Sequence, residues 1–143
     1  MAQLKRIKYV SEFAAHLTGI DIVNLVQQAE KNNACEDITG ILIASGRIFF
    51  QVIEGPVEKI DALYANIVKD RRHKNVLLLN SECGVQRIFP DWALKRVDMN
   101  DESMTRVEPL KALLETIIEH RKRIEMLSGV LERSVWEHFS EYV

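Results

Sequence analysis

The strongest pattern in the chain is an apolar segment from Ile48 to Gly55 that a single amide, Gln51, interrupts. Segments with apolar residues on both faces are typical of a strand buried in a sheet. With the two-residue period of a strand, Gln51 shares a face with Phe49 and Ile53. Its amide must find hydrogen-bond partners, because an unsatisfied buried polar group costs about 1–3 kcal/mol. The pattern therefore predicts a polar group facing Gln51.

A second buried polar side chain is predicted in the first strand, which covers about residues 4–10. Alternation places Ile7 and Tyr9 on one side of this strand and its charged residues on the other, where they suit solvent. The Tyr9 phenol then needs a buried hydrogen-bond partner. Two explanations stay open at this point. Tyr9 and Gln51 could simply bond to each other and close the core, or both could face a polar ligand.

A third polar side chain is predicted on the inner face of the first helix, which opens at Thr18. One stripe of this helix ends in an amide rather than a methyl group: Ile22, Val26, Ala29, Asn33. Asn33 is either a C-cap, where asparagine is common, or another buried polar residue facing the same interior as Ile22.

The remaining pattern predicts an α+β domain. A second helix starts at Pro56, which suits the first turn of a helix. Three further strands are predicted, at residues 38–44, 75–80 and 93–98. The order β-α-β-β-α-β-β is that of a ferredoxin-like sheet with two helices on one face. We therefore predict a domain over residues 1–98 and a C-terminal helical segment over residues 99–143.

The C-terminal third changes to a helical period after a polar joint at residues 98–105. One helix is predicted from Pro109 to a stop signal at Ser128-Gly129, and a second helix over residues 130–142. Their apolar stripes either pack on the open face of the sheet or form a dimer or effector interface. We expect a homodimer through these helices.

Composition narrows the classes of protein without identifying one. The 143 residues suit one compact domain with an appended element, and a net charge of −2 gives no electrostatic case for nucleic acid or an anionic membrane. No apolar segment is long enough to span a bilayer. The histidines show no metal-ligand spacing, so no metal site is expected. The two cysteines, Cys35 and Cys83, lack the density of a disulfide framework, and we expect a cytoplasmic protein.

Short motifs in one unbroken order over residues 5–97 resemble those of a known family. They are Ile7-Lys8-Tyr9-Val10-Ser11, Asn32-Asn33, Ile38-Thr39-Gly40, Phe49-Phe50-Gln51-Val52-Ile53-Glu54-Gly55, Asp70-Arg71-Arg72-His73 and Phe89-Pro90-Asp91-Trp92. As a set they resemble the BLUF domain, a blue-light sensor that uses flavin adenine dinucleotide (FAD). The chain is also similar to the BLUF part of bacterial photoactivated adenylyl cyclases.

The resemblance implies a non-covalent FAD between the first two helices, with FMN or riboflavin as substitutes. It implies that Tyr9 donates an electron to the photoexcited flavin, and that Gln51 is the amide whose hydrogen bonds rearrange. Trp92 is either a signalling residue or a plain aromatic at the rim, and Leu94 stands where the family usually has methionine. The flavin contacts that the resemblance implies are Leu25, Asn32, Asn33, Phe49, Gln51, Ile67, Asp70, Arg72 and His73.

The function implied by the resemblance is that of a photoreceptor that signals through its C-terminal helices and is not itself an enzyme. Because the chain ends after these helices, we expect no cyclase within it. It is then a stand-alone sensor that acts on an unknown effector, or a piece that lacks its output domain. Two other functions stay open, a small flavin-dependent oxidoreductase and a ferredoxin-like binding module without flavin.

Overall fold

The computed structural model describes residues 3–98 and 108–139, which belong to two compact units. The second unit holds one helix, α3 (Glu108–Phe139). The predicted polar joint at residues 98–105 lies, except for Asp98, outside the described residues. The elements of the first unit are β1 (Leu4–Phe13), α1 (Gly19–Cys35), β2 (Thr39–Ser45), β3 (Ile48–Pro56), α2 (Val57–Lys69), β4 (His73–Cys83) and β5 (Lys95–Asp98).

The first unit is built on a five-stranded sheet with the strand order β4-β1-β3-β2-β5. β1 lies in the interior and pairs antiparallel with both β3 and β4, while β5 joins the far edge parallel to β2. The first four strands have the ferredoxin-like order, and β5 extends that sheet at one edge. The predicted α+β, ferredoxin-like class is therefore confirmed.

The hydrophobic core lies between one face of the sheet and the two helices α1 and α2. Alternate residues of the strands point into it, as the two-residue period predicts. The buried cluster joins these strand residues to the inner stripes of the helices: Ile7, Tyr9, Phe13, Leu42, Ala44, Phe49, Ile53, Ile22, Val26, Ile60 and Ile67. Both helices therefore cover the same face and bury most of the side chains on it.

The two ends of α1 show whether Asn33 is a C-cap or a residue inside the helix. A capping box starts the helix, in which the Asp21 N–H donates to Thr18 Oγ1 at 3.1 Å and the Thr18 N–H donates to Asp21 Oδ2 at 2.8 Å. The helix ends at Cys35, and Glu36 is its C-cap residue. The C-cap explanation of Asn33 was therefore wrong, because Asn33 lies inside the last turn and is buried.

The C-terminal segment corrects a second expectation. A stop signal was predicted at Ser128-Gly129, but α3 runs through both residues without interruption. Glycine inside a helix costs only about 1 kcal/mol relative to alanine, and the long helical pattern on either side outweighs that cost. Gly129 does not have a left-handed φ angle, which a helix-ending glycine commonly adopts. The last residues of the predicted second helix lie outside the described part of the chain.

Gly40 permits the close approach of β2 to β3. A Cβ atom at this position would lie 2.0 Å from the carbonyl oxygen of Val52, a backbone atom that cannot move aside cheaply. The Gly40 N–H also donates to the carbonyl of Trp92 at 2.9 Å. The residue therefore fixes both the spacing of two strands and the position of the chain that precedes β5.

We predict that Gly40→Ala destabilises the first unit by about 1–3 kcal/mol, because the new methyl group overpacks against the backbone of β3. Urea unfolding followed by circular dichroism measures the loss. Gly19→Ala is the matched control, since a Cβ atom there meets nothing within 4 Å. Equal stability of the two variants would contradict the assigned role of Gly40.

Candidate functional site

A cleft of about 270 Å³ opens between α1 and α2 above the sheet. Its size is near the lower end of the range of small-molecule sites, about 300–1,000 Å³. Residues of α1 and α2 form its sides, and Tyr9 and Gln51 from the strands lie on its floor. The lining residues are Tyr9, Leu25, Val26, Gln28, Ala29, Asn32, Asn33, Leu42, Gln51, Leu63, Asn66, Ile67, Asp70, Arg72, His73 and Leu94.

Tyr9 and Gln51 meet on the floor of the cleft because they are directly opposite each other in the β1–β3 ladder. The Tyr9 hydroxyl donates a hydrogen bond to Gln51 Oε1. The Tyr9 ring is fully buried and lies edge-on to Phe49 and Tyr64, with centroid separations of 6.0 and 5.9 Å. Burial, with a smaller effect of Tyr64, raises the pKa of Tyr9 well above its usual value. Tyr9 is therefore a neutral phenol whose proton is already directed at the amide.

The two buried amides each present one unused group to the cleft. Gln51 accepts from Tyr9 through its oxygen, and Asn33 donates through Nδ2 to the Ala93 carbonyl at 2.9 Å. Within residues 3–98, no hydrogen bond occupies Gln51 Nε2 or Asn33 Oδ1. The cleft therefore offers one strong donor and one strong acceptor close to its floor, and a ligand edge that carries both complements would satisfy them.

An ion pair closes one end of the cleft. Arg72 makes a two-pronged contact with Asp70, with Nη2–Oδ2 at 2.6 Å and Nε–Oδ1 at 3.0 Å. The hydrogen bonds from the Arg72 guanidinium lower the pKa of Asp70 to about 2, so the carboxylate is charged at neutral pH. Arg72 is half exposed, and its contact with Asp70 leaves the guanidinium at the border between cleft and solvent.

His73 lies beside this ion pair but is mostly withdrawn from water. Its ring packs edge-on to Phe49 at a centroid separation of 5.5 Å. Its Nδ1 atom is buried and has no hydrogen-bond partner among the described residues. Burial lowers the pKa of His73, and Arg72 acts in the same direction while Asp70 opposes it. His73 is therefore a neutral imidazole at pH 7 with one unsatisfied nitrogen near the cleft.

The structure brings together in one cleft all but two of the site residues that the sequence predicted. Phe49 is the first exception, because it packs against Phe13 and Tyr9 behind the floor instead of lining the cleft. Trp92 is the second exception. Its side chain is 43% exposed, stacks on Phe89 at 6.1 Å and lines a separate surface groove beside α1. Leu94, two residues later, is buried and lines the cleft.

Sequence reasoning missed two polar residues that line the cleft, Gln28 and Asn66. Gln28 Nε2 donates to Asn32 Oδ1 at 3.0 Å, which orients the Asn32 side chain. Helical spacing was the available signal, since Gln28 lies four residues before Asn32 and Asn66 lies four residues before Asp70.

Residues 4–95 match the family of sensors of blue light using FAD, known as BLUF. The chain belongs to this family. It is 26% identical over 123 residues to the beta subunit of photoactivated adenylate cyclase from Euglena gracilis, covering 85% of the chain and 14% of that protein. It is 35% identical over 78 residues to the blue light- and temperature-regulated antirepressor BluF of Escherichia coli K12, covering 54% of the chain and 19% of that protein.

Solved BLUF structures share the fold. A bacterial light-regulated adenylyl cyclase superposes with a TM-score of 0.79 at 38% identity, covering 86% of this chain and 36% of that one. The dark-state structure of BlrB, a BLUF protein, superposes with a TM-score of 0.66 at 30% identity, covering 82% of this chain and 96% of that one. The matched part of the chain thus spans a small share of the longer relatives and nearly all of BlrB.

FAD is the cofactor with which this family senses blue light, and the donors and acceptors of the cleft suit its ring. An oxidised isoalloxazine is a flat apolar plate with ring-nitrogen and carbonyl acceptors and one imide N–H donor along its polar edge. The free donor of Gln51 and the free acceptor of Asn33 complement that edge, while Leu25 and Ile67 supply apolar surface for the ring faces.

The part of the chain that the structure describes contains neither a helix that could span a membrane nor a side-chain cluster that could hold a metal ion. No helix among these residues is long and apolar enough to cross a bilayer. The same residues contain no cluster of three or more His, Cys, Asp or Glu side chains that could hold a metal ion.

We predict that the free energy of unfolding falls as the pH is lowered through about 6.5 towards the depressed pKa of His73. The native state then binds fewer protons than the unfolded chain, so acid favours unfolding. Urea titrations between pH 5 and 8 measure this slope, and His73→Gln should flatten it. His16→Gln is the control, since His16 is exposed. An unchanged slope in His73→Gln would contradict the assignment.

Proposed function

We propose that the chain is a blue-light receptor in which the Tyr9–Gln51 pair responds to light absorbed by FAD in the cleft. The observation that carries the proposal is the hydrogen bond from the fully buried Tyr9 phenol to Gln51 on the cleft floor. Membership in the BLUF family supports it. A phenol can give up both an electron and a proton, and an amide can exchange donor and acceptor on one rotatable group.

The residues that would hold the flavin divide by chemistry. Leu25 and Ile67 would clamp the ring between α1 and α2, and the amides of Asn33 and Gln51 would bond its polar edge. Asn32 and His73 would supply further polar contacts to the flavin. The Arg72–Asp70 ion pair would meet the ribityl-phosphate arm where the cleft reaches solvent, and Arg72 would exchange one prong of that pair for phosphate. Phe49 would act from behind by holding the Tyr9 ring.

Bound flavin would supply the photochemical oxidant that accepts an electron from Tyr9 under blue light. Tyr9 would be the electron donor, and Gln51 would receive its phenolic proton along the hydrogen bond that joins the two residues. Return of the electron and the proton to Tyr9 would leave no net oxidation. Gln51 would be left rotated or tautomerised, with hydrogen bonds to the flavin that differ from those in the dark. The two arrangements of an amide fill nearly the same volume, so the surrounding core can hold either one.

The direct test is the absorption spectrum of the purified, FAD-loaded protein before and after blue illumination. We predict a reversible red shift in the wild type. In Tyr9→Phe we predict that flavin stays bound while the shift falls at least about tenfold, because the phenolic proton is gone. Tyr64→Phe is the matched control, since Tyr64 touches Tyr9 but does not line the cleft. A normal shift in Tyr9→Phe would reject the donor role.

Gln51→Leu extends the same test to the amide. Leucine conserves the volume approximately but removes both hydrogen-bonding groups, so the red shift should again disappear while flavin stays bound. Continuous oxidation of a nicotinamide or other reductant by the wild-type protein would instead favour the oxidoreductase alternative. Purification without flavin, together with no uptake of added FAD, would favour a binding module that uses no cofactor.

We also propose that α3 passes the light signal on to an effector. Ile124, Leu127 and Leu131 follow helical spacing along one stripe of this helix, and their side chains are 54%, 59% and 65% exposed. A stripe of this kind suits a second copy of the same helix, in a parallel or antiparallel pair. The change at Gln51 would bias this pair and so act on an effector, either a separate protein or an attached output domain.

We predict that the protein is a dimer and that Ile124→Glu raises its dissociation constant at least about tenfold, because the new charge enters the apolar stripe. Sedimentation equilibrium at several concentrations measures this constant. Lys122→Glu is the control, since Lys122 lies on the opposite side of the helix and is exposed. A monomeric wild-type protein, or a dimer that tolerates Ile124→Glu, would contradict this assignment.

A further inference from the structure

The connection between β4 and β5 crosses the whole sheet, because these two strands are its opposite edges. We call residues 84–94 the crossing segment. Backbone hydrogen bonds tie it to the sheet near both of its ends. The Gly84 N–H donates to the Leu4 carbonyl of β1 at 2.9 Å, and the Trp92 carbonyl accepts from the Gly40 N–H of β2 at 2.9 Å.

Glu54 of β3 holds the middle of the crossing segment. Its carboxylate is fully buried and accepts hydrogen bonds from the backbone N–H groups of Ile88 and Phe89, at distances of 2.8 to 3.0 Å. The guanidinium of Arg6 on β1 donates to the same carboxylate at 2.8 Å and also donates to the Gln86 carbonyl. One buried carboxylate therefore joins β3 to β1 through Arg6 and to the crossing segment through Ile88 and Phe89.

Burying a carboxylate in a protein carries a large desolvation penalty. An apolar residue of similar volume is often as stabilising as a buried ion pair, so the charge does not follow from stability alone. What the carboxylate adds is position, because it must satisfy two adjacent N–H groups and one guanidinium at the same time. Arg87 reinforces this position with hydrogen bonds to Thr39 Oγ1 and to the Glu54 carbonyl.

The same strand and the same segment both reach the cleft. Gln51 lies three residues before Glu54 on β3, so the two side chains point to opposite faces of the sheet. Beyond Phe89, the crossing segment bends to the cleft side, where the Ala93 carbonyl accepts from Asn33 and Leu94 lines the cleft. Glu54 therefore connects the strand that carries Gln51 to the residues that contact the other side of the cleft.

We propose that Glu54 is a positioning residue that fixes the crossing segment to the Gln51 strand, so that Ala93 and Leu94 keep their places at the cleft in the dark and move with β3 in the light. The proposal rests on the function proposed above for its light-dependent part only. Its dark part depends on contacts within residues 3–98 and needs no photochemistry.

The test is Glu54→Gln in the full chain, loaded with FAD and followed by hydrogen–deuterium exchange and by absorption spectroscopy. Glutamine conserves the shape but replaces one acceptor oxygen with an NH₂ group, which opposes the N–H donors around it. In the dark we predict that the Gly40 amide, whose N–H donates to the Trp92 carbonyl, exchanges at least about tenfold faster than in the wild type. The wild-type difference between light and dark exchange at this amide should also be lost, while the flavin red shift keeps its amplitude.

The matched control is Asp37→Asn, which removes a carboxylate that contacts Arg87 of the same segment but is exposed to solvent. This variant should behave as the wild type. If Glu54→Gln does not fold, Arg6→Lys keeps a cation beside Glu54 but cannot reach both of the groups that Arg6 bonds. In Arg6→Lys we expect exchange to change in the same direction as in Glu54→Gln, but by a smaller factor.

Three results would overturn the proposal. Faster exchange confined to Ile88 and Phe89 would mean that Glu54 acts only as a local structural contact. A wild-type light–dark difference in the Glu54→Gln variant would mean that the coupling does not run through the carboxylate. Where Arg6→Lys is used instead, unchanged exchange of the Gly40 amide would mean that the carboxylate does not position the crossing segment. If the wild type shows no red shift, the proposed function fails, while the dark exchange comparison still decides the positioning role.

Discussion

The hydrogen bond between Tyr9 and Gln51 is the interaction on which the site depends. It exists because β1 and β3 are paired in a register that sets these two residues opposite each other on the buried face. A shift of that register by one residue would turn one of the side chains to the other face of the sheet. On the other side of β3, Gly40 allows the close approach of β2, and that position tolerates no side chain.

The polar residues inside this domain form two groups, one on each face of the sheet. On the helix side, Gln51 and Asn33 are each half satisfied by protein partners, and each leaves one group for the cleft. On the other face, Glu54 is satisfied by protein groups from β1 and the crossing segment. A domain of this kind can accept a polar ligand on one face without loosening the sheet, because the second group holds the strands from behind.

Much of the fold was readable from the sequence, because alternation and helical spacing are local properties of the chain. They placed Tyr9 and Gln51 on buried faces before any contact was known. The pattern did not show which partner each polar group bonds. For Asn33 it left a C-cap and a buried amide open, and only the bond to Ala93, sixty residues away, shows why Asn33 is buried. Glu54 looked like the end of a strand, since its partners lie in a segment with no regular pattern.

A local signal was also wrong in the C-terminal segment. Glycine is a weak helix former, which predicts a stop at Gly129, but the helical pattern on both sides of it outweighs that local preference. Trp92 was left open between a signalling residue and a plain aromatic at the rim. Its side chain is 43% exposed, whereas Leu94, two residues later, lines the cleft. Motifs identify residues more reliably than they identify the direction of a side chain.

The most direct measurement of the central claim is a crystal structure of the protein with FAD, determined in the dark. The account predicts the isoalloxazine between Leu25 and Ile67, with its polar edge within hydrogen-bond distance of Asn33 Oδ1 and Gln51 Nε2, and with the Tyr9–Gln51 bond retained. Flavin bound elsewhere on the surface, or a ring in the cleft that contacts neither amide, would contradict it.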